Sequence, residues 1–162
     1  MIVMPHGSDM QILENKIPPP VVAVIFGLAM WGISTSASGI EAGESSRVIG
    51  ASAFALIGAF FCIAGVVSFR LAKTTVSPLK PETATSLVSS GIYRISRNPM
   101  YVGFALFLVA WALYLASLWT LVGVFGFVLY INRFQIVPEE RALSTLFGAE
   151  FESYRSKIRR WL

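Results

Sequence analysis

The chain has 162 residues, enough for one domain, of which 55% are hydrophobic and 14% are charged. Soluble domains average about 45–50% apolar and about 25% charged residues, so this composition excludes an ordinary soluble domain. The net charge is +4, but no basic stripe is interleaved with aromatic residues, and we therefore expect no nucleic acid as a partner.

Four apolar runs follow one another along the chain. They carry no charge and cover residues 17–35, 48–69, 100–118 and 119–131. The last run extends through Asn132 and Arg133. A helix needs roughly 20 residues to cross the hydrocarbon core of a bilayer, and the first three runs lack the polar stripe of a soluble amphipathic helix. The sequence therefore predicts an all-α, polytopic protein with about four transmembrane helices and the lipid bilayer as its partner.

The basic residues predict how these helices are oriented. Residues 1–16 are polar and no small-residue cleavage site follows the first run, so we expect that run to stay as a transmembrane helix. With four spans, both termini and the middle loop share one side, which holds all of the 13 basic residues except Arg47. The positive-inside rule then places both termini in the cytosol, and we expect a bacterial inner membrane.

Small residues in the second run indicate close packing. Gly58, Cys62 and Gly65 form one row, and small residues at this spacing let helix backbones approach in lipid. Cys62 is the only cysteine, so it forms no internal disulfide, and we interpret it as a packing residue. The only histidine, His6, has no companion ligands nearby, and no metal site is expected.

The middle loop, residues 71–98, is long for a protein with four spans. Pro78, Pro81 and Gly91 interrupt it, whereas two apolar pairs, at residues 87–88 and 92–93, offer anchors. We interpret it as an ordered segment along the membrane interface. Beyond it, a tight hairpin near residues 116–117 is predicted to join the third and fourth spans.

The C-terminal segment has a different pattern. A charged amphipathic helix on the cytosolic side is predicted after Pro138, running towards Leu162, and Gly148 is expected to end its first part.

A first polar cluster lies where the third run begins. Asn98 and Pro99 are typical of a helix start, as the N-cap and first helical residue. Tyr93, Tyr101 and Arg97 each suit an ordinary interfacial position when taken singly. Together they crowd hydrogen-bonding groups at the start of one helix, which a purely structural interpretation leaves unexplained.

A second polar cluster lies at the end of the fourth run. Asn132, Gln135 and Glu139 share one helical face if the helix continues across a bend expected at Pro138. A polar stripe at a membrane boundary costs energy unless it faces protein or a water-filled cavity. Equally, Pro138 could begin a new helix whose first turn carries Glu139 and Glu140 against the helix dipole. The sequence leaves both interpretations open.

The two clusters suit one kind of ligand. A helix N-terminus with Arg97 nearby attracts a carboxylate, and the acid pair Glu139 and Glu140 suits an ammonium group. The tyrosines and the pair Leu87 and Val88 offer a wall for a flat aromatic group. A zwitterionic amino acid joined to a purine has all three features.

Several motifs stand in order over about residues 71–161. They read Leu87-Val-Ser-Ser-Gly91-Ile-Tyr93, Arg97-Asn-Pro-Met-Tyr101-Val-Gly103, Glu139-Glu-Arg-Ala-Leu143, Phe147-Gly148 and Tyr154. This combination resembles the isoprenylcysteine carboxyl methyltransferase and phospholipid methyltransferase superfamily of integral membrane enzymes. The resemblance implies packed transmembrane helices in a single domain over residues 1–162. Residues 1–70 would hold two spans, and residues 71–162 would hold the cofactor-binding core.

The resemblance also implies a cofactor, S-adenosylmethionine, in a cytosolic pocket. Carried over residue by residue, its contacts would be Thr85, Ser86, Leu87, Val88, Tyr93, Asn98, Pro99, Met100, Tyr101 and Glu139. The implied activity is methyl transfer to a lipophilic or small nucleophilic acceptor at the cytosolic membrane interface. Glu140 and Tyr101 are the candidates for a catalytic role.

Two departures from the superfamily pattern concern the acceptor. Relatives that methylate prenylcysteine carry histidine where this chain has Asn98. They also place a substrate-contacting arginine where this chain has Gln135, with Arg133 as the nearest cation. Arg133 and Gln135 are therefore the candidates for substrate binding, and a prenylcysteine carboxylate is disfavoured as the substrate.

Two other functions remain open at this point. The C-terminal part of membrane sterol reductases resembles the same superfamily and uses a nicotinamide cofactor. A non-catalytic membrane module that retains only the fold is the second alternative. Cofactor preference separates the first from a methyltransferase, and absence of any cofactor binding would favour the second.

Overall fold

A computed structural model describes residues 14, 16–72 and 85–162 of the chain. These residues are helical or irregular, with no strand among them. The N-terminal segment with His6 lies outside the described residues, and so do Lys73, Pro78, Lys80 and Pro81 of the middle loop.

Successive apolar helices build the described part of the chain. They are α1 (Pro19–Ser36), α2 (Glu44–Leu71), α3 (Pro99–Leu115), α4 (Leu121–Ile131) and α5 (Val137–Lys157). Short 3-10 turns lie at Gly91–Arg94 and Leu118–Thr120, and a π-helical turn, Asn132–Ile136, joins α4 to α5. Ala116, with a φ of 49°, ends α3 in the left-handed conformation and forms the predicted hairpin.

These helices confirm the predicted all-α membrane fold. The helices α1 and α2 and the continuous stretch Leu118–Lys157 are each long and apolar enough to cross a bilayer. The helix α3 has 17 residues and a length of about 26 Å, slightly less than the hydrocarbon core of about 30 Å. Large apolar side chains point outward along the bundle, among them Leu56 and Phe125, as expected of helices surrounded by lipid.

The helix at the C-terminus differs from the prediction. A separate amphipathic helix after Pro138 is not confirmed, because α5 continues directly from α4 through the π-helical turn. Proline lacks an N–H group and its ring clashes with the carbonyl four residues earlier. The wider π-helical turn includes that residue, Phe134, and the helix continues through Pro138. The break comes at Gly148, whose φ of 48° and ψ of −121° are not helical.

The helices α2 and α3 pack with their backbones almost in contact. A Cβ atom at Gly58 would lie 2.9 Å from the carbonyl oxygen of Gly103, and a Cβ at Gly103 would lie 2.7 Å from that of Gly58. A Cβ at Gly65 would lie 2.7 Å from Cγ of Met100. The small-residue row predicted in the second run therefore faces α3, and glycine is needed where the two backbones meet.

The opposite flank of α3 packs on side chains. Met30, Leu108 and Phe127, from α1, α3 and α4, belong to one buried cluster. Trp111 of α3 donates a hydrogen bond to the carbonyl of Gly27 in α1, at 3.0 Å. The core of the bundle thus lies between α1, α3 and α4, while α2 covers the other flank of α3.

The two ends of the bundle differ in charge. At one end, here called the site end, α2 finishes, α3 begins and α4 passes into α5. The opposite end, the far end, holds Arg47, whose guanidinium donates to the carbonyl of Tyr114. The described basic residues other than Arg47 belong to segments at the site end. The orientation of these ends across a membrane remains a prediction.

The contact between α2 and α3 can be tested by adding a single methyl group. In Gly103→Ala the new Cβ would meet Sγ of Cys62 and the carbonyl of Gly58. We expect the free energy of unfolding to fall by about 1–3 kcal/mol, the usual cost of overpacking. Thermal unfolding of the detergent-solubilised protein, followed by circular dichroism, measures the change.

Gly32→Ala in α1 is the matched control. A Cβ at Gly32 meets no described atom within 4 Å, so alanine should raise the stability by up to about 1 kcal/mol through its better helix propensity. Equal melting temperatures for the two variants would contradict the tight contact.

Candidate functional site

The start of α3 is built differently from an ordinary capped helix. Pro99 occupies the first helical position as predicted, but Asn98 makes no side-chain capping bond. Its Nδ2 instead donates to the carbonyl of Arg160 at 2.9 Å, and its backbone N–H donates to Oγ of Ser96 at 3.1 Å. The Oδ1 atom of Asn98 has no partner among the described residues, so it remains available to a ligand.

The C-terminal segment after α5, residues 158–162, lies across the start of α3. The backbone N–H of Arg97 donates to the carbonyl of Arg159 at 3.0 Å. Trp161 donates from Nε1 to Oδ1 of Asn132 at 3.1 Å. Sequence reasoning did not predict these contacts, because backbone carbonyls accept several of them. The available signals were Arg160, whose side chain pairs with Glu140, and the aromatic Trp161 beyond the last helix.

Tyr101 and Glu139 join the two predicted clusters. The hydroxyl of Tyr101 donates to Oε1 of Glu139 at 2.5 Å, across 38 residues of sequence. Tyr101 lies in the first turn of α3 and is 5% exposed. The other carboxylate oxygen of Glu139 has no hydrogen-bond partner among the described residues. The structure thus brings a phenol and a carboxylate from separate motifs into direct contact.

Tyr93 lies beside this pair and is buried. Its carbonyl accepts a hydrogen bond from the hydroxyl of Tyr154 at 2.7 Å, and its ring packs edge-on against Phe69 at a centroid distance of 5.4 Å. Burial raises the pKa of Tyr93 far above its usual range, and the nearby charge of Glu139 raises the pKa further. The phenol therefore stays neutral at physiological pH.

Glu140 is held by two arginines. Arg160 donates to both of its oxygens, from Nε at 3.1 Å and from Nη2 at 2.7 Å, and Nη1 of Arg97 lies 3.1 Å from Oε1. Burial lowers the pKa of Arg97 while Glu140 opposes that shift, and the guanidinium remains charged. These contacts leave Glu140 little freedom to accept a proton, although its candidacy as a catalytic residue stays a prediction.

Arg97 retains unused hydrogen-bond donors. Its Nε and Nη1 atoms are buried and have no hydrogen-bond partner among the described residues, because the approach to Glu140 is an ion pair without hydrogen-bond alignment. A buried guanidinium donor without a partner is costly, so an anionic group placed beside Arg97 would be stabilised.

The loop before α3 contributes mainly packing. Thr85 is exposed and Leu87 is partly buried. Oγ of Ser86 donates to the carbonyl of Ala72 at 3.2 Å. Val88 joins Ile92 and Tyr93 in a small buried cluster. These contacts fasten the loop to the end of α2 and hold Tyr93 beside the acid pair.

Two further predicted cofactor residues, Pro99 and Met100, have side chains that face away from Tyr101 and Glu139. Pro99 is buried, and the side chain of Met100 packs on Gly65 of α2. The carbonyl of Met100 also receives a long contact, 3.6 Å, from the thiol of Cys62. Any role of these two residues in ligand binding would therefore pass through the backbone.

The predicted stripe of Asn132, Gln135 and Glu139 is divided in the structure. Gln135 is fully buried and donates from Nε2 to the carbonyl of Ile17 at 2.9 Å. Arg133 donates to Glu14 at 2.9 Å. The physical reason is the π-helical turn, whose extra residue shifts the helical register between Asn132 and Glu139. Both substrate-binding candidates thus contact the segment before α1.

Replacing Glu140 tests whether its ion pairs support the site end. Glu140→Gln leaves the buried guanidinium of Arg97 and the partly exposed one of Arg160 without their counter-charge, and we expect a loss of roughly 3 kcal/mol in the free energy of unfolding, the lower end for a broken buried pair. The matched control is Glu152→Gln, which breaks an exposed pair with Arg155 and should cost less than about 1 kcal/mol. Denaturant or thermal unfolding in detergent measures both, and similar losses in the two variants would contradict the expectation.

The amino-acid sequence of this chain was compared with those of known proteins, and it matches a family of membrane methyltransferases. Residues 46–150 match the phospholipid methyltransferase family. A protein of Haemophilus influenzae (strain ATCC 51907 / DSM 11121 / KW20 / Rd), described as an uncharacterized protein, is 46% identical over 63 residues. Those residues are 39% of this chain and the whole of that protein. No solved structure matches this chain.

Proposed function

Because the chain belongs to the phospholipid methyltransferase family, we propose that it uses S-adenosylmethionine to methylate a lipophilic or small nucleophilic acceptor. Family membership and apolar helices indicate an integral membrane methyltransferase. The identity of the methyl donor, the kind of acceptor and the cytosolic position of the site go beyond family membership, and we propose them. The observation that carries the proposal is the contact between Tyr101 and Glu139, which unites both motifs in one site.

The polar groups of the site fit the amino-acid part of this donor. Nε and Nη1 of Arg97 are buried donors without a partner in the described part of the chain, and they suit the carboxylate. The unpaired oxygens of Glu139 and Asn98 suit the ammonium group. Tyr93 adds an aromatic ring close to Glu139. A zwitterion therefore finds complementary partners for both of its charges within one group of residues.

Positioning is the main contribution expected from these residues. The bound donor would supply a methyl group on a sulfonium, which an acceptor lone pair attacks as the carbon–sulfur bond breaks. Good alignment of reacting groups is worth roughly 7–11 kcal/mol. Arg97 and Glu139 would orient the donor from two sides, and the apolar surroundings of Tyr101 would exclude water from the reacting groups.

Tyr101 is the better placed of the two catalytic candidates. Its hydroxyl hydrogen is directed to Glu139, which leaves oxygen lone pairs free to accept a proton from an acceptor. Glu139 would then receive the phenolic proton. Glu140, in contact with Arg97 and Arg160, would act as a positioning residue that holds the guanidinium of Arg97 in place.

A lipophilic acceptor would reach this site from the bilayer. Tyr101 lies in the first turn of α3, so it stands at the boundary between the apolar bundle and the polar site end. An acceptor whose reactive group lies near the lipid headgroups would reach that depth without leaving the membrane.

Binding of S-adenosylhomocysteine to the detergent-purified chain is the direct test. We expect calorimetry to detect binding to the wild type, and an affinity about 10- to 150-fold weaker in Glu139→Gln, since losing a charged partner costs roughly 1.5–3 kcal/mol. Glu41→Gln, in the exposed loop at the far end, is the control and should bind as the wild type does. Well-folded wild type that binds no S-adenosylhomocysteine would refute the proposed donor.

Transfer of labelled methyl groups tests the role of Tyr101. With labelled donor and a total lipid extract as acceptor, label should enter the organic phase. Tyr101→Phe should lower kcat by about 10²–10⁴-fold if the phenol moves a proton. Tyr114→Phe, at the far end, is the control for loss of a phenol. An unchanged kcat in Tyr101→Phe would remove the catalytic role, and label found only in water-soluble acceptors would exclude a lipid.

A further inference from the structure

Arg133 and Arg141 converge on one carboxylate oxygen. Nη1 of Arg133 lies 2.9 Å from Oε1 of Glu14, and Nη2 of Arg141 lies 2.8 Å from the same atom. Arg133 lies in the π-helical turn and Arg141 in α5, about two turns apart, and residues at such spacing lie on one side of a helix. The segment before α1 places Glu14 between them.

The charges of Glu14, Arg133 and Arg141 do not cancel. Two guanidiniums meet a single carboxylate, which leaves one net positive charge. The side chain of Glu14 is 13% exposed, whereas those of Arg133 and Arg141 are 40% and 55% exposed. Burial alone would raise the pKa of Glu14, but the hydrogen bonds and charges of both arginines lower it below the usual range. Glu14 thus remains an anion in a site that is still positive.

This group is separate from the methyl-transfer site. Arg141 follows Glu139 by two residues, and residues two apart point to nearly opposite sides of a helix. Glu139 faces Tyr101 of α3, whereas Arg141 faces the segment that precedes α1. A ligand held by Arg133 and Arg141 would therefore not occupy the place of the methyl donor.

The depth of the two arginines matches that of lipid headgroups. Arg133 is the first charged residue after the apolar helix α4, so the hydrocarbon region ends near it. Arg141 lies farther from the apolar run, on the exposed side of α5. Planar guanidiniums bind phosphate through paired hydrogen bonds, and anionic lipids attract basic residues beside the membrane with about 1 kcal/mol for each residue.

We propose that Arg133 and Arg141 form a binding site for the phosphate group of an anionic phospholipid, and that Glu14 occupies this site until the lipid displaces it. The carboxylate of Glu14 shows that an anion fits between the two guanidiniums. Displacement would also loosen the neighbouring attachment between Gln135 and the carbonyl of Ile17. The attachment of Glu14 and Ile17 to this part of the bundle would then respond to the lipid composition of the membrane, a property that does not depend on methyl transfer.

Titration of the full chain in a neutral detergent tests the site. The probes are short-chain phosphatidylglycerol, phosphatidylcholine with the same chains, and glycerol phosphate without chains. We expect phosphatidylglycerol to bind about fivefold more tightly than phosphatidylcholine, the effect of one net charge near the headgroups. Equal affinities for the two lipids would overturn the proposal, and glycerol phosphate binding as tightly as phosphatidylglycerol would assign the site to free phosphates instead.

Variants identify the residues responsible. Arg141→Gln should weaken phosphatidylglycerol binding about fivefold, and Glu14→Gln should strengthen it by about the same factor. Arg141→Lys keeps the charge and loses the paired hydrogen bonds, so its affinity should lie between those of the wild type and Arg141→Gln, and it serves if Arg141→Gln folds poorly. If Glu14→Gln leaves the affinity for phosphatidylglycerol unchanged or lowers it, the proposed displacement of Glu14 by the lipid is wrong.

The exposed pair of Arg155 and Glu152 provides matched controls on the same helix. Arg155→Gln and Glu152→Gln should each change phosphatidylglycerol affinity by less than about twofold, because a screened surface pair has little effect. A fivefold change in these controls would show that lipid binding follows overall charge, which would overturn a localised site. None of these titrations uses a methyl donor, so their outcome is independent of the proposed reaction.

Discussion

The ion pairs of Glu140 with Arg97 and Arg160 fix the geometry of the site end. They connect three segments that the sequence keeps apart: the start of α3, the first turn of α5 and the C-terminal segment. Charges that are largely removed from water interact strongly, but only when each has its counter-charge in place. With Glu140 fixed on one side of α5, the preceding residue, Glu139, is directed towards Tyr101. Glu140 thus stabilises the site end through its ion pairs, whereas the adjacent Glu139 faces Tyr101 and the proposed position of the methyl donor.

The fold could be predicted from the sequence where a property is local or periodic. The uncharged runs predicted the apolar helices, the Asn98-Pro99 pair predicted the start of α3, and Gly148 predicted the break in α5. Each of these features depends on composition or on the backbone preference of one residue. The π-helical turn at Asn132–Ile136 was missed, since it results from how Pro138 is accommodated within a continuous helix. That turn separates Gln135 from the polar stripe predicted around it.

The site was predicted less completely than the fold. The sequence indicated that Tyr101 and Glu139 belong to one site, but it gave neither their direct contact nor the arrangement of the arginines around Glu140. The contacts of the C-terminal segment were not predicted, because those of the Arg159 and Arg160 carbonyls involve the backbone that every residue carries, and the partner of the Arg160 side chain, Glu140, lies 20 residues away. Arg133 was selected for its charge, yet its partner, Glu14, lies 119 residues away. No periodicity connects such distant positions.

The glycine contact between α2 and α3 also limits which parts of the bundle can move. With Gly58 and Gly103 nearly in backbone contact, these helices have little side-chain layer at this point along which to slide, so we expect them to move together. On the opposite flank, α3 meets α1 and α4 through interlocking side chains such as Met30, Leu108 and Phe127, which can change rotamer. Side-chain rearrangement around an entering hydrocarbon chain is therefore expected to be easier on the flank of α1 and α4 than between α2 and α3.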